Sequence, residues 1–169
     1  MYKAVIAMLS IVGAVAAIET ISPRSSGDLC LTVAADKPIA GAKVQLVECV
    51  EPSSTKAASQ KWEDVTRDVG GLQAIGLAGA ENLCLDRGAN ESSGVTVQKC
   101  LDPTPEQLWS YRSEGTLYAY FGDERRCLEA SGEEVELVAC EDNNDQQVWD
   151  FRADVPWAVV NAFALTSKN

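Results

Sequence analysis

One segment of the chain, CLDRGANESSGVTVQKC at residues 84–100, combines three kinds of chemically useful residue. Asp86 could hold the hydroxyl groups of a ligand, and Cys84 and Cys100 could form a disulfide. Asn90-Glu-Ser is an N-glycosylation sequon in a predicted hairpin loop. The segment is therefore either a ligand site built around Asp86 or one unit of a disulfide-linked scaffold. The answer depends on whether the rest of the chain repeats it.

The available residue types limit the reactions that the chain could catalyse. It contains no histidine, so it lacks the usual acid–base group at neutral pH and every Ser-His or Cys-His nucleophile. Acidic pairs such as Glu133–Glu134 and Glu141–Asp142 are typical of solvated turns, whereas glycoside hydrolysis needs two carboxylates fixed about 5–10 Å apart in a cleft. We predict a protein that is not an enzyme and has no cofactor. Without histidines or close Cys-x-x-Cys pairs, no metal site is expected either.

The charge of the chain restricts its partners. Its 14 basic and 25 acidic residues give a net charge of −11. A surface of that sign repels nucleic-acid phosphates and anionic lipid headgroups. We therefore expect neither nucleic-acid binding nor membrane insertion.

The first 17 residues are predicted to be a secretory signal peptide. Lys3 precedes an apolar run over residues 4–17 that ends in small residues, which is the pattern of a cleavable signal. The run is shorter than the roughly 20 residues that span a bilayer. We expect a secreted, extracellular protein whose mature domain covers residues 18–169.

The segment around Asp86 has counterparts on both sides. Three stretches begin with Cys-Leu, continue through alternating residues to a second Cys and end in Gln-x-Trp, and they cover residues 29–62, 83–109 and 126–149. Three similar units of this kind suit a closed threefold arrangement. The unit boundaries are expected near residues 18–70, 71–115 and 116–165.

The alternation within each unit predicts β-strands. KVQLVEC, VTVQK and VELVA alternate apolar and polar residues with a period of two, as half-buried strands do. LQAIG (72–76) and LYAYF (117–121) take equivalent places after glycine turns, and IETIS at the start and AVVNAFAL at the end resemble them. No helical periodicity is sustained after residue 17. We predict an all-β fold of about twelve strands.

The cysteine count fits three disulfides. All six cysteines lie after the signal, in a compartment that favours oxidation. Fifteen pairings are possible in principle, and pairing the first with the second cysteine of each unit is the simplest. This choice preserves the symmetry and predicts the bonds Cys30–Cys49, Cys84–Cys100 and Cys127–Cys140.

The Gln-x-Trp repeat is interpreted as framework. A tryptophan at the same place in each unit can bury about 200 Å² of ring. The glutamine can hydrogen-bond loop backbone that would otherwise be buried without a partner. The predicted core motif consists of Gln60, Trp62, Gln107, Trp109, Gln147 and Trp149.

These motifs resemble the ricin B-type lectin domain, and the resemblance covers about residues 18–165. Cys-Leu, an alternating strand closing on a second Cys, and Gln-x-Trp occur three times in the family's order, and the second copy has the full Cys-Leu-Asp. The resemblance implies a β-trefoil, in which three homologous leaves form a six-stranded barrel capped by three hairpins. It also implies galactose-type sugar binding in up to three shallow pockets, one in each leaf.

Family pockets use an aspartate two residues after the first Cys, polar and aromatic residues on the second strand, an Asn and the motif glutamine. Asp86 matches the aspartate in the second leaf, Glu129 replaces it in the third leaf, and Thr32 stands there in the first leaf. The resemblance thus implies sugar-binding candidates at Asp86, Gln98, Gln107, Glu129, Gln146 and Gln147.

The aromatic residue that stacks on the sugar in this family is missing from all three leaves. Val47, Gln98 and Val138 occupy its position. The few remaining hydroxyl hydrogen bonds contribute about 1 kcal/mol each, whereas millimolar binding needs about 4 kcal/mol. We therefore expect degenerate pockets, unless a ring comes from elsewhere; the candidates are Tyr111, Tyr118, Tyr120 and Trp157.

Two functions remain open. The first is a secreted, non-catalytic carbohydrate-binding protein whose partners are glycans or glycoproteins. The second is a β-trefoil that has lost sugar binding and acts on a protein target, as an inhibitor or a secreted interaction factor. The long polar loop EPSSTKAAS at residues 51–59 would be its exposed contact surface.

Overall fold

The computed structural model describes residues 18–80, 82–102 and 104–153, and this part of the chain has twelve β-strands and no α-helix. The strands are β1 (Ile18–Pro23), β2 (Leu29–Val33), β3 (Val44–Glu48), β4 (Trp62–Val69), β5 (Leu72–Leu77), β6 (Leu83–Asp86), β7 (Thr96–Lys99), β8 (Ser110–Tyr111), β9 (Leu117–Phe121), β10 (Glu124–Ser131), β11 (Glu134–Ala139) and β12 (Trp149–Ala153). Short 3₁₀ helices lie in the connections, at Arg24–Ser26, Thr55–Ser59, Glu91–Ser93, Pro105–Gln107 and Asp145–Gln147.

Three antiparallel hairpins correspond to the three sequence repeats. They pair β2 with β3, β6 with β7 and β10 with β11. The predicted alternation separates two faces: on β11, Val135 is buried whereas its neighbours Glu134 and Glu136 are exposed. The strands expected from KVQLVEC, VTVQK and VELVA are therefore confirmed.

The other six strands form a closed barrel. β12 pairs with β1, β1 with β4, and β4 with β5. A reciprocal bridge between Gln73 and Trp109 joins β5 to the start of β8, which pairs with β9. A further bridge between Thr116 and Val148 carries β9 back to β12. A six-stranded barrel with three hairpins is the predicted β-trefoil.

The three tryptophans of the repeat lie in one apolar core. Trp62, Trp109 and Trp149 are at most 1% exposed. Each indole N–H donates to the carbonyl of the leucine in its own leaf's first hairpin strand, namely Leu31, Leu85 and Leu128, at 2.8–3.0 Å. Burial of the ring together with a partner for its N–H makes each tryptophan a link between barrel and hairpin.

All three predicted disulfides are present. Cys30–Cys49, Cys84–Cys100 and Cys127–Cys140 each connect the first strand of a hairpin to the residue that follows its second strand. No described cysteine is free. The pairing of the first with the second cysteine in each leaf is therefore confirmed.

Two predicted segments, residues 1–17 and 158–165, lie outside the described residues. The barrel is closed by β12, which begins at the last motif tryptophan. Within the described ranges, no helix has the length and apolar character that a membrane crossing requires.

Candidate functional site

The motif glutamine makes the same three contacts in every leaf. In the second leaf, Gln107 Nε2 donates to Asp86 Oδ2 at 3.1 Å and to the Lys99 carbonyl at 2.9 Å, while its Oε1 accepts from the Leu101 N–H at 3.0 Å. Gln60 and Gln147 bind equivalent groups in their own leaves. Both amide donors of each glutamine are therefore used within the protein.

Asp86 is held in one orientation by two donors. Oδ1 accepts from the Gly88 N–H at 2.8 Å, and Oδ2 accepts from Gln107. The residue is 7% exposed, so little of the carboxylate can move. Each carboxylate oxygen has a further lone pair, so Asp86 can still accept a hydrogen bond from a ligand hydroxyl.

The turn that follows Asp86 requires glycine. Gly88 has a φ of +76°, and a Cβ at this position would collide with Ser93. Glycine adopts this left-handed conformation without the steric penalty of other residues. The orientation of Asp86 thus depends on Gly88, whose backbone N–H donates to the Asp86 carboxylate.

Asp86 lies in a surface pocket of the second leaf with a volume of about 490 Å³. The hairpin strands contribute Thr96 and Gln98, and the 3₁₀ segment before the motif tryptophan contributes Glu106 and Gln107. The other lining residues are Gly88, Ala89, Ser93, Gly94, Lys99, Leu101 and Thr104. The structure thus brings together all three sugar-binding candidates of this leaf, Asp86, Gln98 and Gln107.

Glu106 adds a second carboxylate to this pocket, at the place where the family pattern has an Asn. Thr104 donates a hydrogen bond to it, and the Arg87 guanidinium lies 3.7 Å away. The hydrogen bond from Thr104 lowers the pKa of Glu106 most, followed by the Glu106 backbone N–H, and the Arg87 charge lowers it further. Glu106 therefore adds a second acidic side chain to the pocket that contains Asp86.

Arg87, which contacts the pocket residue Glu106, was missed by the sequence reasoning. It is 5% exposed, its guanidinium carbon is 4.1 Å from the centroid of the Phe121 ring, and Nη1 donates to the Gly88 carbonyl at 2.8 Å. The arginine therefore connects the second leaf to β9 of the third leaf. Only the fold brings Phe121 to Arg87, so no local sequence signal could have identified this contact.

The third leaf holds its acid in a related way. Glu129 Oε2 accepts from Gln147 Nε2 at 2.8 Å and from Asn144 Nδ2 at 3.0 Å. Gln146, another predicted candidate, is exposed. Asn144 was missed, although its position at the N-cap of the 3₁₀ helix Asp145–Gln147 is a signal that the sequence offers. Glu129 and Glu136 lie directly opposite each other on β10 and β11.

The first leaf lacks a charged group at the equivalent place. Thr32 accepts from Gln60 Nε2 at 3.0 Å and donates to the Cys30 carbonyl at 2.7 Å. Its hydroxyl is thus committed to internal contacts. This leaf has the least to offer a ligand.

None of the described residues lining the second-leaf pocket is aromatic. Tyr111 packs edge-on against Phe151 and donates to the Trp149 carbonyl, and Tyr118 is only 7% exposed. Tyr120 is 38% exposed on the third leaf. Trp157 lies outside the described residues. In place of an aromatic ring, the pocket offers the aliphatic side chain of Leu101, which lines the pocket and is 57% exposed.

Within the described ranges, no group of three or more potential ligands could hold a metal ion.

A family model for the ricin-type beta-trefoil lectin domain matches residues 73–161, which is more than half of the chain. The chain therefore belongs to the ricin-type β-trefoil lectin family. No curated protein matches it.

Solved structures of lectin-type trefoils share the fold. The β-trefoil lectin of the Vibrio vulnificus hemolysin/cytolysin, with N-acetyl-D-lactosamine bound, has a TM-score of 0.65 and 24% identity over 83% of this chain and 96% of its own. The C-half of the earthworm R-type lectin, in complex with GalNAc, has a TM-score of 0.60 and 15% identity over 82% and 99%. A non-toxic homologue of type II RIPs from Momordica charantia (bitter gourd), in complex with α-methyl-D-galactoside, has a TM-score of 0.60 and 20% identity over 80% and 47%. At these identities, the similarity shows the fold.

Proposed function

We propose that this chain is a secreted, non-catalytic carbohydrate-binding protein, and that the second-leaf pocket is its principal sugar site. The observation that carries the proposal is the orientation of Asp86 by Gly88 and Gln107 at a pocket of about 490 Å³. A buried carboxylate whose oxygens retain free lone pairs can accept hydrogen bonds from two neighbouring sugar hydroxyls. Membership of the lectin family and the galactose-type ligands of its structural neighbours support the same ligand class.

The pocket is expected to bind a neutral monosaccharide weakly. Hydrogen bonds to a charged group contribute about 1.5–3 kcal/mol each, so two of them reach the roughly 4 kcal/mol of millimolar binding. Leu101 offers only an aliphatic surface where the family uses an aromatic ring. Longer glycans, which can contact Thr96, Gln98 and Lys99 as well, are expected to bind more tightly than galactose.

The third leaf is proposed as a second, weaker site. Gln147 and Asn144 orient the Glu129 carboxylate, but Glu136 lies directly across the hairpin from it. Gln146, which is exposed next to the motif glutamine, could contribute its amide to a ligand.

We propose that the protein is secreted and that its partners are glycans and glycoproteins. Three disulfides are typical of proteins that fold in an oxidising compartment. Outside the cell, the available partners would be free glycans and glycoproteins.

A glycan array with the oxidised protein tests the sugar-binding proposal. We expect binding of galactose-containing glycans that falls at least tenfold in Asp86→Ala and by a smaller factor in Glu129→Ala, since each removes the charged acceptor of one leaf. Asp36→Ala removes an exposed acidic residue of the first leaf and serves as the control. If the array stays silent, sugar binding is refuted, and a protein target contacting the loop at residues 51–59 becomes the better hypothesis.

A further inference from the structure

A second cluster of polar and aromatic side chains lies where the end of the second leaf meets the third leaf, and it shares no residue with the second-leaf pocket. It consists of Arg112, Tyr118, Tyr120 and Arg125, and we refer to it as the arginine–tyrosine patch. Leu117 and Ala119 of β9 point into the core, so the alternating residues Tyr118 and Tyr120 lie on the outer face of the sheet.

The patch is organised around the Tyr118 ring. The guanidinium carbons of Arg112 and Arg125 are each 5.2 Å from its centroid, within the range of cation–π attraction. The Tyr120 ring meets it edge-to-face with centroids 5.7 Å apart. Arg125 lies directly opposite Tyr120 in the β10–β9 pairing, so a cationic group and a 38% exposed ring are neighbours on the surface.

The hydroxyl of Tyr118 lies in a positive environment. Hydrogen bonds from Ser110 and then from Arg112 lower its pKa, and the Arg112 charge contributes as well. The same contact with Tyr118 raises the pKa of Arg112. Arg112 is thus held against the ring while its side chain remains 44% exposed.

The two arginines are incompletely neutralised on a protein of net charge −11. Arg112 has Glu114 at 3.6 Å, whereas Arg125 has no carboxylate within ion-pair distance among the described residues. The next residue, Arg126, differs clearly because Glu91 and Glu124 lie 2.8 and 2.6 Å from it. An anion would stabilise a site in which two guanidinium groups contact one ring and only one of them has a carboxylate partner among the described residues.

We propose that the arginine–tyrosine patch binds the anionic group, a carboxylate or a sulfate ester, of an acidic saccharide. Guanidinium groups hold such oxygens with paired, charge-assisted hydrogen bonds. The exposed Tyr120 ring provides a face for the C–H groups of a sugar, which an inorganic anion would not use.

The position of the patch also favours an oligosaccharide. Arg125 and Glu129 lie on the same face of β10, four residues and about 13 Å apart at the usual rise of a strand. One chain could therefore place a neutral unit at Glu129 and an acidic unit at Arg125. Anion binding at Arg125 does not depend on the binding of a neutral sugar at Glu129.

The test compares four probes on the oxidised protein by NMR titration: galactose 6-sulfate, glucuronic acid, galactose and sodium sulfate. We expect at least one acidic sugar to bind about tenfold or more tightly than galactose, with amide shifts centred on residues 110–125, because charge-assisted hydrogen bonds replace neutral ones. The sulfated and carboxylated probes show which anionic group is preferred. Binding should weaken as salt is raised.

Variants assign the effect to the patch. Arg125→Gln should abolish the preference for the acidic sugar, and Arg125→Lys should restore part of it. Lys56→Gln, which removes an exposed charge from the first leaf, is the control. The proposal is overturned if Arg125→Gln and Lys56→Gln behave alike, if galactose binds as well as both acidic sugars, or if sodium sulfate binds as tightly as galactose 6-sulfate. Thermal unfolding of each variant verifies that the fold is retained.

Discussion

The side-chain amide of Gln107 donates to Asp86 Oδ2 at 3.1 Å, although the two residues are 21 positions apart. The same amide supports the backbone on both sides of Cys100, through the Lys99 carbonyl and the Leu101 N–H. One glutamine therefore stabilises the hairpin and orients the carboxylate of the proposed sugar site. Fold and function are coupled at this residue.

Replacing Gln107 with Ala should destabilise the protein by about 2 kcal/mol, because two backbone groups and one carboxylate oxygen lose their partner. Sugar binding in the second leaf should fall with it. For stability, Gln98→Ala is the matched control, since that half-buried amide makes only a 3.4 Å contact with Thr96. Urea unfolding measures both variants, and equal midpoints for the two would contradict a structural role for Gln107.

Removing one disulfide should cost about 3 kcal/mol in any leaf. The bonded cysteines are 19, 16 and 13 positions apart in the three leaves, and loop entropy depends only on the logarithm of that length. The double variants Cys30→Ser/Cys49→Ser, Cys84→Ser/Cys100→Ser and Cys127→Ser/Cys140→Ser should therefore unfold at similar denaturant concentrations. A much larger loss in one leaf would show that its disulfide does more than restrict the unfolded chain.

Glu106 should make stability depend on pH in the acidic range. Its pKa is held below the ordinary value of 4.5, first by the Thr104 hydrogen bond. Because the pKa is lower in the folded state, this contribution is complete above about pH 4.5 and is lost as the pH falls through the folded-state pKa.

The variant Thr104→Val should raise the pKa of Glu106 toward 4.5, and carbon-detected NMR titration of its carboxylate measures the change. Thr96→Val is the control, because Thr96 lines the same pocket without lowering that pKa. An unchanged Glu106 titration in Thr104→Val would show that the hydrogen bond is not its main cause.

A glycan at Asn90 should weaken ligand binding in the second leaf. Asn90 is exposed and begins the 3₁₀ segment Glu91–Ser93, while its neighbours Ala89 and Ser93 line the pocket. In a glycosylating host we expect a mass increase that Ser92→Ala abolishes and Ser92→Thr retains, because only the latter preserves the sequon. Sugar affinity should be higher for Ser92→Ala than for Ser92→Thr, and equal affinities would mean that the glycan points away from the pocket.

Much of the fold could be predicted from the repeated sequence. The three Cys-Leu segments and Gln-x-Trp motifs specify equivalent hairpins, and the period-two alternation in β3, β7 and β11 specifies which face each strand buries. These features depend on residues close together in the chain. The disulfide pairing followed because symmetry left one simple solution.

The candidate site was only partly predictable. Asp86 could be recognised from its place after Cys84, but its fixed orientation requires the Gly88 turn and the Gln107 amide. Gln107 and Gln147 each donate both amide N–H groups to partners within the protein. These glutamines therefore position carboxylates.

The sequence by itself thus determined the three leaves, their hairpin strands, their disulfides and the place of the surviving acids. Tertiary structure alone decided which side chains meet across leaves and strands, such as Arg87 with Phe121 and both Arg112 and Arg125 with Tyr118. Local patterns arise from interactions among near neighbours, whereas these contacts join a strand of the third leaf to residues of another strand or of a connection. Their geometry exists only after the barrel closes and the hairpins pack against it.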